Sequence, residues 1–170
     1  MPIHVIILLN IKQIEMKRTF FLVALLATLL MQHGFAQTGL NTLLLHSYYD
    51  IKNALVAGNA NTAALEAAQY LKTLDSFDTR TVNEATRKFL SADANEISKS
   101  KDIKHQREHF AALSANMYSL AKAIKLTDEP IYYAYCPMQK AHWLSSVSTI
   151  KNPYFGTAML TCGKVEETIK

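Results

Sequence analysis

The spacing of apolar residues between positions 40 and 125 constrains the fold of this chain more than any other feature. Four stretches, over 40–56, 61–75, 81–97 and 101–125, place apolar side chains three and four positions apart, with neither Gly nor Pro inside them. Each stretch is predicted as an amphipathic helix. Four such helices joined by short polar segments favour a mainly helical fold, an antiparallel four-helix bundle.

The same periodicity predicts which residues form the core. On the third helix the residues expected to face inward are Val82, Ala85, Phe89, Leu90 and Ile97. The apolar positions of the second helix are Leu65, Ala68, Leu71 and Leu74. The fourth helix has the clearest stripe: Ile103, Phe110, Leu113, Met117, Leu120 and Ile124. We expect these faces to pack together in one core.

The composition changes after position 127. Three of the four prolines and both cysteines lie in this last part of the chain. Two segments, IYYAYC over 131–136 and AHWLSS over 141–146, have the alternation of short strands and are predicted to pair. Residues 127–170 are therefore expected to form a small irregular or two-stranded lobe, packed on the bundle of residues 37–126 within a single domain.

The first 36 residues have the pattern of a secretory signal peptide. Met16-Lys17-Arg18 precede an uncharged apolar run over 19–31, and Gly34 and Ala36 supply the small residues at the −3 and −1 positions. Cleavage is predicted after Ala36, with Met16 as an alternative start. The apolar run is shorter than the roughly 20 residues that span a bilayer. The mature chain is thus expected to be periplasmic or secreted and not to span the membrane.

Charge and motifs exclude two classes of function. The net charge of the chain is +4, and loss of Lys12, Glu15, Lys17 and Arg18 with the signal peptide lowers it to +2. No dense basic stripe with interleaved aromatic residues is present, so nucleic acid is not an expected partner. The chain also contains no G-x-S-x-G motif and no Gly-rich phosphate loop, so we predict no catalytic residue and no enzyme.

Two segments of the C-terminal part combine a thiol with a thioether. Cys136 and Met138 flank Pro137, and Met159 lies three residues before Cys162. If the chain folds back between them, the four sulfur atoms can converge, and such soft ligands suit Cu(I). Pro137 would hold Cys136 extended in a rigid turn, and the residue after Cys162, a glycine, would allow close approach of the backbone.

A disulfide is the alternative interpretation of the same residues. Two cysteines in an exported protein can pair in an oxidising compartment. A Cys136–Cys162 bridge would contribute about 3 to 4 kcal/mol by the chain-entropy model. The methionines would then be ordinary core residues. Spacing alone leaves the metal site and the disulfide both open.

The histidines are weaker candidates. His105 and His109 lie four apart on the predicted fourth helix, a spacing that can chelate a metal, but the segment reads HQREH and lacks the acidic residue of an H-E-x-x-H motif. His142 adjoins Trp143 and is more typical of a hydrogen-bonded, half-buried residue. The guanidinium of Arg107, near the apolar seam, is expected to anchor the C-terminal segment through its backbone carbonyls.

Several short motifs carry a resemblance to a known family. They are Tyr-Cys-Pro-Met at 135–138, Trp-Leu-Ser at 143–145, Asn-Pro-Tyr-Phe-Gly at 152–156 and Met-Leu-Thr-Cys-Gly at 159–163. With the helix that contains Asp102-Ile103 and Gln106-Arg107, they resemble a family of exported bacterial domains of unknown function. Members occur as short secreted proteins and as extensions of periplasmic adaptor subunits of copper and silver efflux pumps. The likeness extends over about 43–169.

The resemblance implies a heavy-metal-associated role: binding of copper, as Cu(I), through Cys136, Met138, Met159 and Cys162, with a periplasmic efflux adaptor or another envelope protein as partner. The motif positions Trp143, Asn152, Pro153, Gly156 and Gly163 are then expected to be structural. The chain departs from the family in its third helix, where TVNEATRKFL lacks the His-Trp pair that members often have. His109 or His142 could supply the missing ligand. A disulfide-locked interaction module without metal is the alternative function.

Overall fold

Four helices followed by a small antiparallel sheet make up the part of the chain that the computed structural model describes, residues 39–78 and 81–170. The helices are α1 over 39–56, α2 over Ala60–Asp75, α3 over Glu84–Lys99 and α4 over Ile103–Ala123; the strands are β1 over Ile131–Cys136, β2 over Ala141–Ser145 and β3 over Lys164–Ile169. A 3-10 turn, Gly156–Met159, lies between β2 and β3. The predicted mainly helical fold is confirmed.

Side-chain caps determine where the helices begin. The side chain of Asn59 accepts a hydrogen bond from the backbone N–H of Thr62, and Asn83 does the same for Thr86. Asp102 caps α4 in a similar way. Each cap satisfies an N–H group that has no partner within the helix. Because of these caps, α2 begins just before its predicted start and α3 begins three residues later than predicted.

The helices bury a continuous apolar core against the sheet. α3 packs against both α2 and α4, and β2 packs against α4. Leu90, Ala94 and Ile97 form the buried stripe of α3, whereas Phe89 is 61 % exposed, so its predicted inward orientation is wrong. Consecutive helical residues point about 100° apart, so Phe89 lies beside the buried stripe to which Leu90 belongs and faces outward. Leu65 of α2 is likewise exposed.

The sheet has three strands in the order β2-β1-β3, all antiparallel. The predicted hairpin of β1 and β2 is confirmed, with Cys136 opposite Ala141 at its turn. The prediction of two strands omits β3, whose sequence KVEETI alternates exposed and half-buried residues. Short, charged strands are typical of sheet edges, and their weak apolar signal makes them hard to recognise from sequence.

A buried tyrosine connects the helices to the sheet. The Tyr48 hydroxyl of α1 lies 2.7 Å from Ser114 Oγ of α4 and accepts a hydrogen bond from the Leu144 N–H of β2 at 3.1 Å. Its ring stacks on Phe110, with centroids 5.1 Å apart. Burial raises the pKa of Tyr48 above its usual range, so the hydroxyl stays protonated. This contact fixes β2, and with it the sheet, against α1 and α4.

The predicted signal peptide, residues 1–36, lies outside the described residues. In the described ranges, no helix has both the length and the apolar character needed to cross a membrane.

Candidate functional site

The two cysteines lie at the same end of the sheet. Cys136 is the last residue of β1 and is completely buried. Cys162 is partly buried and lies just before β3, whose first residue, Lys164, pairs with Tyr135. Because β1 and β3 run antiparallel, the end of one strand meets the beginning of the other. Strand pairing therefore brings together two thiols that are distant in sequence. We call Cys136 and Cys162 the thiol pair.

Both cysteines of the pair are free thiols. The pKa of Cys162 is raised by burial, then by the nearby charge of Cys136 and by a hydrogen bond with the Cys136 side chain. Two thiolates side by side repel each other, so the protonated form of Cys162 is favoured. A bound cation would displace this proton, and formation of a disulfide would release the protons of both thiols as two electrons pass to an oxidant. The arrangement is compatible with both chemistries predicted from the sequence, a metal site and a disulfide.

Asn152 organises the thiol pair. This fully buried side chain donates through Nδ2 to Cys136 Sγ at 3.1 Å and to the Cys162 backbone carbonyl at 2.7 Å. Its Oδ1 accepts a hydrogen bond from the Tyr154 N–H at 2.8 Å. The backbone N–H of Asn152 donates to the Leu160 carbonyl at 2.8 Å. One amide thus connects β1 to the segment that leads into β3.

The sulfur of Cys136 accepts a second hydrogen bond from its own turn. The backbone N–H of Gln139 lies 3.4 Å from Cys136 Sγ, in the turn that follows Pro137. With the bond from Asn152, two N–H donors point at this sulfur. Donors of this kind stabilise negative charge on a thiolate. The predicted turn after Cys136 therefore presents a donor to the thiol as well as holding the chain.

Gly163 permits the close approach of β1 and Cys162. Its φ is +143°, and a Cβ at this position would lie 2.8 Å from the Tyr135 carbonyl oxygen and 2.9 Å from Trp143 Cη2. Neither neighbour can move easily, because Tyr135 contributes backbone and Trp143 is 1 % exposed in the core. Only glycine fits here without displacing the strand or the indole ring.

Arg107 anchors the segment that contains Asn152. Its Nε donates to the Pro153 carbonyl at 2.8 Å, and its Nη2 donates to the Leu55 carbonyl of α1 at 3.0 Å. Gly156, with φ +56°, faces this guanidinium, and a Cβ there would lie 2.7 Å from Arg107 Nη2. The 152–156 turn is thereby attached to both α1 and α4, and Asn152 is held in register with the thiols.

The methionines differ from the thiols in position. Met138 lies in the turn after β1 and is 62 % exposed, and Met159 is half-buried at the end of the 3-10 turn. Each flanks one cysteine of the thiol pair along the chain. The structure thus places the buried Cys136 and the partly buried Cys162 at one end of the sheet and leaves the Met138 thioether in solvent.

His142 lies on the opposite face of the sheet from Cys136. It pairs with Tyr135, whereas Cys136 pairs with Ala141, and successive strand residues point to opposite faces. The His142 ring stacks on Tyr133 at 4.4 Å, and its Nε2 lies 2.9 Å from Glu166 Oε2. This contact lowers the pKa of Glu166. The structure does not bring His142 to the thiol pair.

The remaining two predicted histidines form a separate group with residues of α3. One ligand atom each from Glu96, His105 and His109 lie within 4.8 Å of one another, and neither thiol belongs to this group. Asp93 Oδ1 lies 3.0 Å from His109 Nδ1. We call these four residues the histidine cluster. The segment HQREH has no acidic residue at the second position of an H-E-x-x-H motif, but Asp93 and Glu96, three apart on the preceding helix, supply two carboxylates. The spacing of Asp93 and Glu96 on one helix was the sequence signal that could have identified them as neighbours of the histidines.

The sequence model of a family described as a protein of unknown function, DUF3347, matches residues 44–129, half of the chain, and the chain belongs to this family. The match covers most of the helical part and ends before β1, so the thiol pair lies outside it. No curated protein and no solved structure matches the chain.

Proposed function

We propose that this member of the DUF3347 family is an exported binding protein for Cu(I), which it carries between the thiolates of Cys136 and Cys162. Copper is the cargo of such a protein, and no substrate is chemically changed. The observation that carries the proposal is that one amide, Asn152 Nδ2, bonds both to Cys136 Sγ and to the Cys162 carbonyl where β1 meets β3, with a second N–H donor directed at Cys136 Sγ. Thiolates are soft ligands, and Cu(I) is a soft cation that they bind in preference to Mg²⁺ or Ca²⁺.

Binding must displace protons. Because the pKa of Cys162 is raised, this thiol is protonated in the free protein, and the cation competes with that proton. The sulfur of Cys136 is held in place by the N–H groups of Asn152 and Gln139. The half-buried Met159 is a candidate third ligand, and Met138, exposed at the turn, is suited to hand the ion on by ligand exchange.

The motifs of the C-terminal lobe support an envelope role. They resemble exported domains that also occur on periplasmic adaptors of copper and silver efflux pumps. Delivery of Cu(I) to an efflux adaptor is consistent with the predicted signal peptide over 1–36 and with a nearly balanced charge after its removal. The partner is then a periplasmic protein with thioether or thiolate ligands of its own.

The affinity for Cu(I) tests the proposal. Reduced protein should compete anaerobically with a chromophoric Cu(I) chelator and show a sub-micromolar Kd. Cys136→Ser and Cys162→Ser should each weaken binding at least about tenfold, which is about 1.4 kcal/mol. His142→Gln, in the same sheet but on the other face, is the matched control and should change the Kd less than about twofold. Sub-micromolar binding that survives both cysteine substitutions, or its absence in the wild type, would contradict the proposal.

A disulfide-locked interaction module of the cell envelope is the second candidate. The same contact between Cys136 and Cys162 favours it, since two adjacent thiols in an oxidising compartment can form a bridge. Counting the thiols of denatured protein taken directly from the periplasm separates the two functions. Two free thiols support the copper carrier, and none supports the lock.

A further inference from the structure

The histidine cluster lies on the surface of the helical bundle, where α3 packs against α4. Each helix contributes two of its residues. His105 and His109 are four apart on α4, so both project from one side of that helix, and their ring centroids are 4.6 Å apart. Glu96 of α3 approaches the same point, with Oε2 3.6 Å from His105 Nε2. Three potential ligands thus converge from two helices whose packing is fixed by the core.

Asp93 gives the cluster a feature of built metal sites. Its carboxylate lies 3.0 Å from Nδ1 of His109, and its side chain is only 18 % exposed. A carboxylate that holds one ring nitrogen of a histidine fixes the tautomer and directs the other nitrogen outward as a ligand. With Nδ1 engaged by Asp93, Nε2 of His109 is the ring nitrogen left for a metal ion.

We propose that Glu96, His105 and His109 form a site for a divalent transition cation of the Zn(II) class, separate from the thiol pair. Two imidazoles and one carboxylate are ligands that Zn(II) accepts in proteins, and a three-ligand site leaves a position for water or another ligand. Asp93 is the positioning residue of this site.

Access and charge favour a cation here. A depression of about 340 Å³ is lined by Glu96, Lys99, Ser100, Asp102 and His105, so the site opens to solvent on one side. Asp93 and Glu96 are acidic, and the histidines bind metal in their neutral form. Lys99 opposes a cation from the rim of the depression. The donor atoms are nitrogen and oxygen, so the site differs in its preferred metals from a pair of thiolates.

Titration of the full chain with Zn(II), in competition with a chromophoric chelator, tests this site. We expect one equivalent of the bound Zn(II) to have its Kd raised at least about tenfold by His105→Ala and by Glu96→Gln. Asp93→Asn should raise it less, because this residue acts through His109. His46→Ala is the control: His46 is exposed on α1, outside the cluster, and its loss should leave the Kd unchanged.

Co(II) separates this site from the thiol pair without any cysteine substitution. Bound at the histidine cluster, Co(II) should show visible d–d bands and no thiolate-to-metal charge-transfer band in the near ultraviolet. A charge-transfer band that disappears in Cys136→Ser would place the cation at the thiols and overturn the proposal. Failure of wild-type protein to bind Zn(II) at about 100 μM would also overturn it, and would leave His105–Glu96 and His109–Asp93 as ion pairs between helices. Neither result bears on the Cu(I) affinity of the thiol pair.

Discussion

The thiol pair and the histidine cluster are two candidate metal sites that differ in how deeply their side chains are buried. Cys136 is fully buried, and its sulfur is hydrogen-bonded within a network that closes the sheet. The histidine cluster lies on the outside of packed helices, with side-chain exposures that range from 18 % for Asp93 to 49 % for Glu96. The thiol pair is therefore part of the packing that holds the sheet together, whereas the histidine cluster lies on the surface of helices that are packed without it.

The difference in burial determines whether a substitution at a site changes only ligand binding or also the stability of the fold. Removing a group that is bonded in the interior leaves buried polar partners without hydrogen bonds, which costs free energy of folding. Exposed ion pairs contribute little because water solvates both partners when the pair is broken. Substitutions around the thiol pair should therefore change stability and binding together. Substitutions in the histidine cluster should change metal binding and leave the unfolding free energy almost unchanged.

Asn152→Ala is expected to have the largest effect. It removes the bonds to Cys136 Sγ and the Cys162 carbonyl and leaves the Tyr154 N–H without its acceptor. With about 1–3 kcal/mol for each buried group left unpaired, unfolding free energy should fall by roughly 3 to 5 kcal/mol in urea denaturation. Asn95→Ala is the matched control, since Asn95 donates only to Ser91 O within α3. If Asn152→Ala lowers the unfolding free energy by less than about 1 kcal/mol, the contrast in stability between the thiol pair and the histidine cluster is wrong.

Gly163→Ala should follow. The added Cβ would meet Tyr135 O and Trp143 Cη2 at less than 3 Å, on a backbone with φ +143°. We expect a loss of roughly 2 to 4 kcal/mol of unfolding free energy and a weaker affinity for Cu(I), because β1 and the Cys162 segment must separate. Gly58→Ala isolates the conformational cost: φ there is +70° with open space around it, so about 1 kcal/mol is expected. Equal losses at the two glycines would show that the close approach is unimportant.

Substitution of both cluster histidines should have a much smaller effect on stability. For His105→Ala/His109→Ala, measured with a chelator present, we expect unfolding free energy to change by less than about 1 kcal/mol, as for surface ion pairs. The same protein should lose Zn(II) binding. A loss above about 2 kcal/mol would mean that these side chains are part of the core packing of α3 and α4 and would remove the contrast with the thiol pair.

The smallest expected effect is on the pH dependence of the thiol pair. The raised pKa of Cys162 means that the folded chain holds this proton more tightly than the unfolded chain does. Its stabilising contribution is present below the pKa of an unfolded thiol, about 8.5, and is lost as pH rises through the higher folded value. The alkylation rate of Cys162 should thus have its midpoint at a higher pH in the folded chain than in the urea-unfolded chain, and Cys136→Ser should lower the folded midpoint. An unchanged midpoint would show that the thiols do not interact.

Much of the fold follows from local patterns in the sequence. Apolar residues at helical spacing predict α1 to α4, and the alternation in IYYAYC and AHWLSS predicts the β1–β2 hairpin. The patterns fail where the decisive interaction is not local. Phe89 is apolar and lies near the helical spacing of the core residues, but because Leu90 and Ile97 face the core, Phe89 points outward. β3 carries charged residues and is a strand only because β1 offers it hydrogen bonds.

The candidate sites divide in the same way. The i, i+4 spacing of His105 and His109 is visible on one helix, but the carboxylates of Asp93 and Glu96 join them only when α3 packs on α4. Asn152 is visible as a motif residue, and nothing in its neighbours along the chain indicates that its amide reaches Cys136.

By itself, the sequence determined the helices, the hairpin and the chemical types of the ligands, because these depend on side chains within a few residues of one another. The tertiary structure alone decided which ligands meet. The antiparallel register of β1 and β3 placed Cys136 and Cys162 at the same end of the sheet, and the register of β1 and β2 placed His142 on the other face. The packing of α3 against α4 assembled the histidine cluster. The physical reason is that such contacts depend on packing and strand register summed over the whole core, which no short stretch of residues specifies.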